Sequence, residues 1–291
     1  MTTSTDVIVV GKGPAGLSAA IYMARAGLRV TVLGKDTGAL ERAHLIENYY
    51  GFAEPVSGET LQQNGERQAA RFGVAILPEE VTSVMKEEAF FVKTSEATYT
   101  AKAVLLATGK PRQGLRIKGF EEARGKGVSF CAVCDGFFYR NKRIGVIGSG
   151  EYAAEELVEL LHFSGAVTLF TNGEPLTTAK IPEGTPIVTD KITEILLGDN
   201  GLVSGIVTEA GVYALDGIFV AVGTASAADF ALKIGVLLDG NSIVVDADYR
   251  TNVEGLYAAG DCIGGYLQVA KAVADGALAS RRIIPYVRGL K

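Results

Sequence analysis

The sequence predicts an α/β protein made of two nucleotide-binding (Rossmann-like, three-layer) units, and three observations carry that expectation. First, the apolar run Asp6-Val7-Ile8-Val9-Val10 leads directly into Gly11-Lys12-Gly13-Pro14-Ala15-Gly16 and then a stretch of helix formers. Short apolar runs of this kind mark strands buried on both faces of a parallel sheet. Second, the same grammar returns far downstream, in Arg143-Ile144-Gly145-Val146-Ile147, the turn Gly148-Ser149-Gly150-Glu151-Tyr152-Ala153 and a helix over residues 154–162. Recurrence on that scale is a domain duplication, not a short solenoid repeat. Third, glycine supplies 36 of the 291 residues, about 12% against ~7% in an ordinary globular chain. The chain is neither repetitive nor rich in proline, so its glycines serve particular backbone positions.

The remaining elements follow in order. Gly27 stops the helix that begins after Gly16, as a left-handed C-terminal glycine does, and residues 28–33 form a second strand. The first ~35 residues are therefore one strand-helix-strand unit with its glycines at the first turn. Residues 166–170 close the matching unit downstream. Two later runs, Ala103-Val104-Leu105-Leu106-Ala107-Thr108-Gly109 and Gly217-Ile218-Phe219-Val220-Ala221-Val222-Gly223, end in glycine where backbone has to pass close to a ligand. After Asp239-Gly240 come a strand at 243–245, the segment Leu256-Tyr257-Ala258-Ala259-Gly260-Asp261 and an alanine-rich helix from about Gln268. Linkers are expected near residues 111–119 and 238–241.

Composition removes several classes. At 48% hydrophobic and 21% charged the chain can bury a core and is not disordered. No stretch approaches the ~18 unbroken apolar residues of a bilayer helix, so no membrane is expected, and residues 1–6 lack the basic flank and cleavage site of a signal peptide. A net charge of −5 gives no reason to expect a nucleic-acid surface. Three cysteines, an odd number, argue against a disulfide framework and for a reducing, cytoplasmic setting, where a close pair is catalytic or metal-binding.

Two motifs carry chemistry. Gly11, Gly13 and Gly16 sit between an apolar strand and a helix, so backbone N–H groups and the helix N-terminus face a pyrophosphate. Cys131-Ala132-Val133-Cys134 has the two-residue spacing of a reducible disulfide with a lowered thiol pKa. The rival readings are structural thiols or half of a zinc site, for which the chain has only Cys262, His44 and His162 to add. Asp135 either shuttles a proton beside the thiols or caps a helix. Cys262 reads as a small buried hydrophobe, and His44 and His162 as incidental.

Taken together, Gly11-x-Gly13-Pro14-Ala15-Gly16, Glu47-Asn48-Tyr49-Tyr50-Gly51, Ala107-Thr108-Gly109, Cys131-Ala132-Val133-Cys134-Asp135, the second glycine turn, and Tyr257-Ala258-Ala259-Gly260-Asp261 followed by Gln268 resemble the low-molecular-weight flavoprotein thioredoxin reductases over nearly the whole chain. The resemblance implies an FAD-binding domain in two parts, 1–113 and 241–291. Between them lies an inserted NAD(P)-binding-like domain, 114–240, that carries the cysteine pair and pivots on its linkers, in a homodimer. It implies that Gly11, Gly13, Pro14, Ala15 and Gly16 hold the FAD pyrophosphate and that Asn48, Ala107, Thr108, Gly109, Gly260, Asp261 and Gln268 line the ribityl chain and flavin. Cys134 would face the flavin, Cys131 would attack the partner disulfide, and Asp135 would act as acid/base. No metal is implied.

Two departures refine the expectation. An acid for the adenosine ribose belongs about 20 residues past the glycines, but the strand ends Leu33-Gly34-Lys35, leaving Gly34 backbone or Lys35 for that contact. In NADPH-using members a His-Arg-Arg cluster clamps the 2′-phosphate; here the segment reads Phe170-Thr171-Asn172-Gly173-Glu174-Pro175-Leu176, with no basic residue before Lys180. Tyr152 replaces a small residue of the turn, and Thr224-Ala225-Ser226 stand where a histidine is usual. The chain is most similar to the pyridine-nucleotide-independent branch, the ferredoxin-dependent flavin thioredoxin reductases and their deeply rooted relatives. Electrons are expected to pass from ferredoxin through FAD and Cys131–Cys134 to thioredoxin. The alternatives are an NADPH-dependent reductase with an atypical clamp, a two-flavin oxidoreductase, a dithiol oxidase or a non-catalytic flavin sensor. Tyr286 is expected either to stack on the flavin or to lie in a terminal helix packed on the dimer partner.

Overall fold

The computed structural model describes residues 2–35, 38–43, 45–109, 115–223, 227–240 and 242–290. The chain forms two compact units, Met1–Pro111 with Ser226–Lys291, and Arg112–Ala225. It is mixed α/β, as the sequence predicts.

The first unit opens with β1 (Thr2–Val10), α1 (Pro14–Arg25) and β2 (Val30–Leu33), then α2 (Gly58–Arg71), β3 (Ala75–Leu77), β4 (Val81–Lys86), β5 (Phe90–Thr94) and β6 (Thr98–Leu106). The second unit contains α3 (Phe120–Ala123), β7 (Val128–Ser129), α4 (Ala132–Asp135), β8 (Ile144–Ile147), α5 (Glu151–Leu161) and β9 (Val167–Phe170). It continues through β10 (Ile187–Val188), β11 (Ile192–Leu197), β12 (Val203–Thr208), β13 (Val212–Ala214) and β14 (Gly217–Val220). The first unit then resumes with α6 (Ala227–Lys233), β15 (Leu238–Asp239), β16 (Ser242–Ile243), β17 (Leu256–Ala258) and α7 (Val269–Gly289).

In the first unit the sheet runs β3-β2-β1-β6-β5-β4, with β17 also paired to β6. The β1, β2, β3, β6 and β17 pairings are parallel and the β4-β5 and β5-β6 pairings antiparallel. Val7, Ile8 and Val9 are fully buried, which is why this strand reads as an unbroken apolar run. Helix α1 packs against α7 so closely that a Cβ at Gly276 would lie 2.0 Å from the Ala15 carbonyl oxygen. Met23, Val32, Leu105, Tyr257 and Ile283 join the same core.

The second unit repeats the plan with a sheet β10-β9-β8-β14-β7, alongside an antiparallel β11-β12-β13 sheet. Its core gathers Phe120, Ile147, Phe170, Ile206 and Ile218. Helix α5 starts at Glu151, three residues before the expected 154, because the glycine turn is only three residues long.

The boundary expected at 240 is corrected to 225. Residues 226–240 belong to the first unit: Phe230 and Ala231 of α6 are buried, and Asn252 ties the following turn down by accepting from Leu237 N–H at 2.9 Å and donating to Gly235 O at 2.9 Å. The expected linker at 238–241 is instead one side of a hairpin, β15 pairing with β16 through Leu238 and Ile243. Its Gly240, at φ +58, is a turn glycine. That hairpin also shortens the strand expected at 243–245 to Ser242–Ile243. The other linker lies partly outside the described residues; at its end, Lys118 O accepts the Ile195 N–H at 2.9 Å.

Arg143 and Asp216, just ahead of β8 and β14, join by side-chain bonds of 2.8 and 3.1 Å and a backbone N–H bond of 2.9 Å. The Arg143 guanidinium holds the Asp216 carboxyl at about 2, below the ~3.9 of an unfolded aspartate. A depressed folded-state pKa stabilises above the unfolded value, and that stabilisation is lost as pH falls through the folded one. Asp216→Asn is expected to lower the melting temperature by a few degrees at pH 7. The difference from the parent should shrink below about pH 4 and vanish near pH 2, as calorimetry across that range would show.

Candidate active site

At the first glycine turn, Gly11 has φ +109 and a Cβ there would lie 2.3 Å from the Ala107 carbonyl oxygen. Only glycine lets the β1-α1 turn cross the end of β6. A Cβ at Gly16 would meet Gly11 O at 2.0 Å, whereas nothing lies within 4 Å of one at Gly13. The middle of the turn is therefore open and its two ends are closed. Pro14 fills the first helical position, no side chain caps α1, and its first turn has no acid. The positive end of the helix faces outward, as an anion requires.

Two later segments, at Ala107 and Gly260, meet this turn. Ala107 N–H donates to Val10 O at 2.8 Å and Ala259 N–H to Leu106 O at 3.0 Å. Gly260, at φ +83, abuts Ala15, since a Cβ on it would lie 2.8 Å from the Ala15 methyl. Thr108 and Gly109 follow β6, with Gly109 at φ +76. Asp261 lies in the turn Gly260–Ile263. Asn48 and Gln268 meet, Nδ2 to Oε1, at 3.1 Å.

One anchor was not visible in the sequence. Buried Asp275 of α7 accepts from Gly260 N–H at 3.1 Å and Tyr249 Oη at 3.0 Å, and pairs with Lys271 Nζ at 2.8 Å. Lys271 also donates to Gly260 O and Gly264 O at 2.9 and 2.6 Å. Burial and the Asp275 carboxylate push the Tyr249 hydroxyl up to about 12, so it remains a donor. The Asp-Gly pair in an alanine-rich helix was the available signal. Lys35, following Gly34 at the end of β2, binds buried Glu80 at 2.8 Å. An acid is thus held at the end of β2, supplied from just ahead of β4.

Among the described cysteines, Cys131 is disulfide-bonded and buried; the Cys134 side chain lies outside the described residues. Asp135 closes α4 and stands at the N-cap of the short turn Gly136–Tyr139, where its side chain makes no capping bond; its carboxylate accepts from Ser129 Oγ at 2.6 Å, and Ser129 Oγ accepts the Cys131 N–H at 3.1 Å. Phe137 and Phe138 beside this turn are 64% and 66% exposed. Cys262 is a free, buried thiol donating to Ala259 O at 3.2 Å, and burial pushes it up to about 12; it is no thiolate. His44 lies outside the described residues, and His162 caps the C-terminus of α5. Among the described residues no three His, Cys, Asp or Glu side chains cluster as metal ligands. Tyr286 stands edge-on to Tyr257, ring centroids 6.2 Å apart, within α7 and on its own unit's core.

The second glycine turn keeps the shape of the first: a Cβ at Gly148 would lie 2.3 Å from Ala221 O. Its chemistry differs. Glu151 occupies the first turn of α5 and pairs with Lys180 at 2.9 Å, while Thr177 folds back to donate to Ser149 O through N–H and Oγ1 at 2.8 and 3.2 Å. Asn172, at φ +54, accepts Ile192 N–H at 2.8 Å where a basic clamp would begin. Tyr152 does not line the turn; it is buried and donates to Phe130 O at 3.3 Å. Thr224, Ala225 and Ser226 lie outside the described residues.

The pyridine nucleotide-disulphide oxidoreductase family matches residues 5–276. A thioredoxin reductase of Treponema pallidum is 36% identical over 312 aligned positions, covering all of both chains. The chain belongs to the thioredoxin reductases of this family. It is a flavin disulfide oxidoreductase with FAD as its cofactor. Among solved structures, the atypical thioredoxin reductase TRi of Desulfovibrio vulgaris Hildenborough matches with a TM-score of 0.92 and 37% identity, over 98% of this chain and 99% of that one. A ferredoxin-flavin thioredoxin reductase of Clostridium acetobutylicum matches with a TM-score of 0.75 and 29% identity, over 99% of this chain and 100% of that one.

The first turn of this reductase fits FAD: its backbone is open at Gly13, its ends are closed by Gly11 and Gly16, and no acid opposes a pyrophosphate. Asp275→Ala would take from half-buried Lys271 its carboxylate and free the Gly260 turn, a loss of about 1–3 kcal/mol. Purified variant is expected to carry less than half the parent's flavin, read from absorbance at 450 against 280 nm after gel filtration.

Proposed function

We propose that this reductase passes electrons from reduced ferredoxin, through FAD and the Cys131–Cys134 pair, to thioredoxin, and works as a cytoplasmic homodimer. The observation that carries the reading is the second glycine turn. Its α5 N-terminus already holds the Glu151 carboxylate, the Thr177 segment bonds over Ser149, and Lys180 is paired with Glu151. A dinucleotide pyrophosphate there would meet a like charge in place of open N–H groups. The described first turn of α1 has no such charge.

Bound FAD supplies the conversion between one-electron and two-electron chemistry. A plant-type ferredoxin near −400 mV and thioredoxin near −270 mV give a drop of roughly 130 mV, about 6 kcal/mol for two electrons. FAD would be held by Gly11, Gly13, Pro14, Ala15 and Gly16 at the pyrophosphate, by Gly34 and Lys35 toward the adenosine, and by Asn48, Ala107, Thr108, Gly109, Gly260, Asp261 and Gln268 along the flavin end. Two electrons and two protons reduce the pair to the dithiol. Cys131 then attacks the thioredoxin disulfide, Cys134 displaces the mixed disulfide and restores the Cys131–Cys134 bond, and reduced thioredoxin leaves. Asp135, fixed by Ser129 at 2.6 Å, moves the proton. Cys131 is buried, so exchange with a protein requires a step that uncovers it. Phe137 and Phe138 offer that partner an apolar contact.

Anaerobic titration of the yellow protein tests the donor. A photoreduced ferredoxin is expected to bleach the 450 nm band, while stoichiometric NADPH or NADH leaves it; rapid bleaching by either nucleotide would overturn the ferredoxin reading. Cys131→Ser is expected to reduce thioredoxin turnover by at least a thousandfold while flavin reduction persists, and unchanged turnover would refute the thiol roles.

A further inference from the structure

We propose that Tyr152 and Glu156 are positioning residues that fix the peptide frame of Cys131 and through it the poise of the disulfide. The proposal rests on the reading of Cys131–Cys134 as the redox pair. The two residues stand one helical turn apart on α5, so their side chains share a face, and they are 2% and 1% exposed. Tyr152 Oη donates to the carbonyl of Phe130 at 3.3 Å, and Glu156 Oε2 accepts the Ala132 N–H at 2.7 Å. One helix therefore holds the residue before Cys131 and the residue after it. The Cys131 N–H between them goes to Ser129 Oγ at 3.1 Å.

This clamp does what the four-residue helix α4 cannot do alone. A single turn fixes several dihedrals for one intrahelical bond, Asp135 N–H to Cys131 O at 3.1 Å, which is the unfavourable part of helix formation. A buried carboxylate accepting the first N–H is short, charge-assisted and strong. With the Ala132 N–H committed to Glu156, that backbone donor does not go to a thiolate at the neighbouring Cys131. This favours the disulfide over the dithiol and keeps the pair strongly reducing. Tyr152 stands where a small residue sits in the family's nucleotide turn, so a position lost to the ligand is used by the redox loop.

The test is the dithiol–disulfide equilibrium of the FAD-loaded protein, set in dithiothreitol redox buffers and read by thiol quench, with thioredoxin kcat and KM beside it. Glu156→Leu is expected to shift that equilibrium about tenfold toward the dithiol, some 30 mV at two electrons. It should lower kcat about tenfold or more while KM is held. Glu156→Gln, which retains an acceptor for the Ala132 N–H, is expected to recover most of kcat, and Tyr152→Phe to lose about threefold. If Glu156→Leu fails to fold, shown by lost flavin or lost melting transition, Glu156→Gln and Tyr152→Phe carry the test through the same equilibrium. Parent-like equilibrium and kcat in every folded variant would overturn the proposal, as would a Glu156→Gln as impaired as Glu156→Leu. The buffer equilibrium needs neither ferredoxin nor thioredoxin, so a parent protein inactive with both would refute the proposed function and leave the clamp to be judged separately.

Discussion

The architecture depends on one close approach, made twice. In each unit the glycine after a central strand, Gly11 after β1 and Gly148 after β8, lies against a carbonyl at the end of a neighbouring strand, Ala107 and Ala221, so that a Cβ would come within 2.3 Å of that oxygen. The carbonyl cannot yield, because its own residue is sewn to that same central strand: Ala107 N–H bonds Val10 O and Ala221 N–H bonds Ile147 O, both at 2.8 Å. The turn is therefore pulled onto the strand ends and the helix N-terminus is aimed across them. In the first unit, Gly16 against Gly11 O and Gly276 against Ala15 O extend the same constraint to the seating of α1 on α7.

Because this constraint is steric, it says nothing about which ligand is bound. Both turns obey it, yet α1 has no acid in its first turn and α5 has Glu151 there, paired with Lys180. The glycines of the second turn are held by the sheet beneath them whatever charge stands at the helix N-terminus. A glycine motif read alone therefore reports a fold, and the residues around it report the chemistry.

That division explains what was legible in the sequence. The parallel strands announced themselves as apolar runs because both their faces are covered, as at Val7, Ile8 and Val9. The turns announced themselves as glycine. What escaped was long-range or ambiguous. Glu80 meets Lys35 across 45 positions and Glu156 meets Ala132 across 24, and no local pattern marks either carboxylate as turned inward. Asp239-Gly240 looked like a linker because a hairpin turn and a flexible joint share the same residues; only the Asn252 bonds to Leu237 and Gly235 assign that segment to the first unit. Tyr152 was noticed for its size, but its direction, down toward Phe130, depends on the packing of α5.

Asp275 and Glu156 have a common logic. Each is a buried carboxylate on a long helix, and each accepts the first N–H of a turn too short to support itself: Gly260 N–H for the turn Gly260–Ile263 and Ala132 N–H for α4. A hydrogen bond to a charged group contributes about 1.5–3 kcal/mol, enough to offset the ordering of one or two residues. A buried charge is costly unless it is paired or bonded, and the backbone N–H groups at these turns answer that need. Each carboxylate therefore needs its turn as much as the turn needs its carboxylate. The functional segments can stay short, since their order is borrowed from helices whose own stability comes from the core.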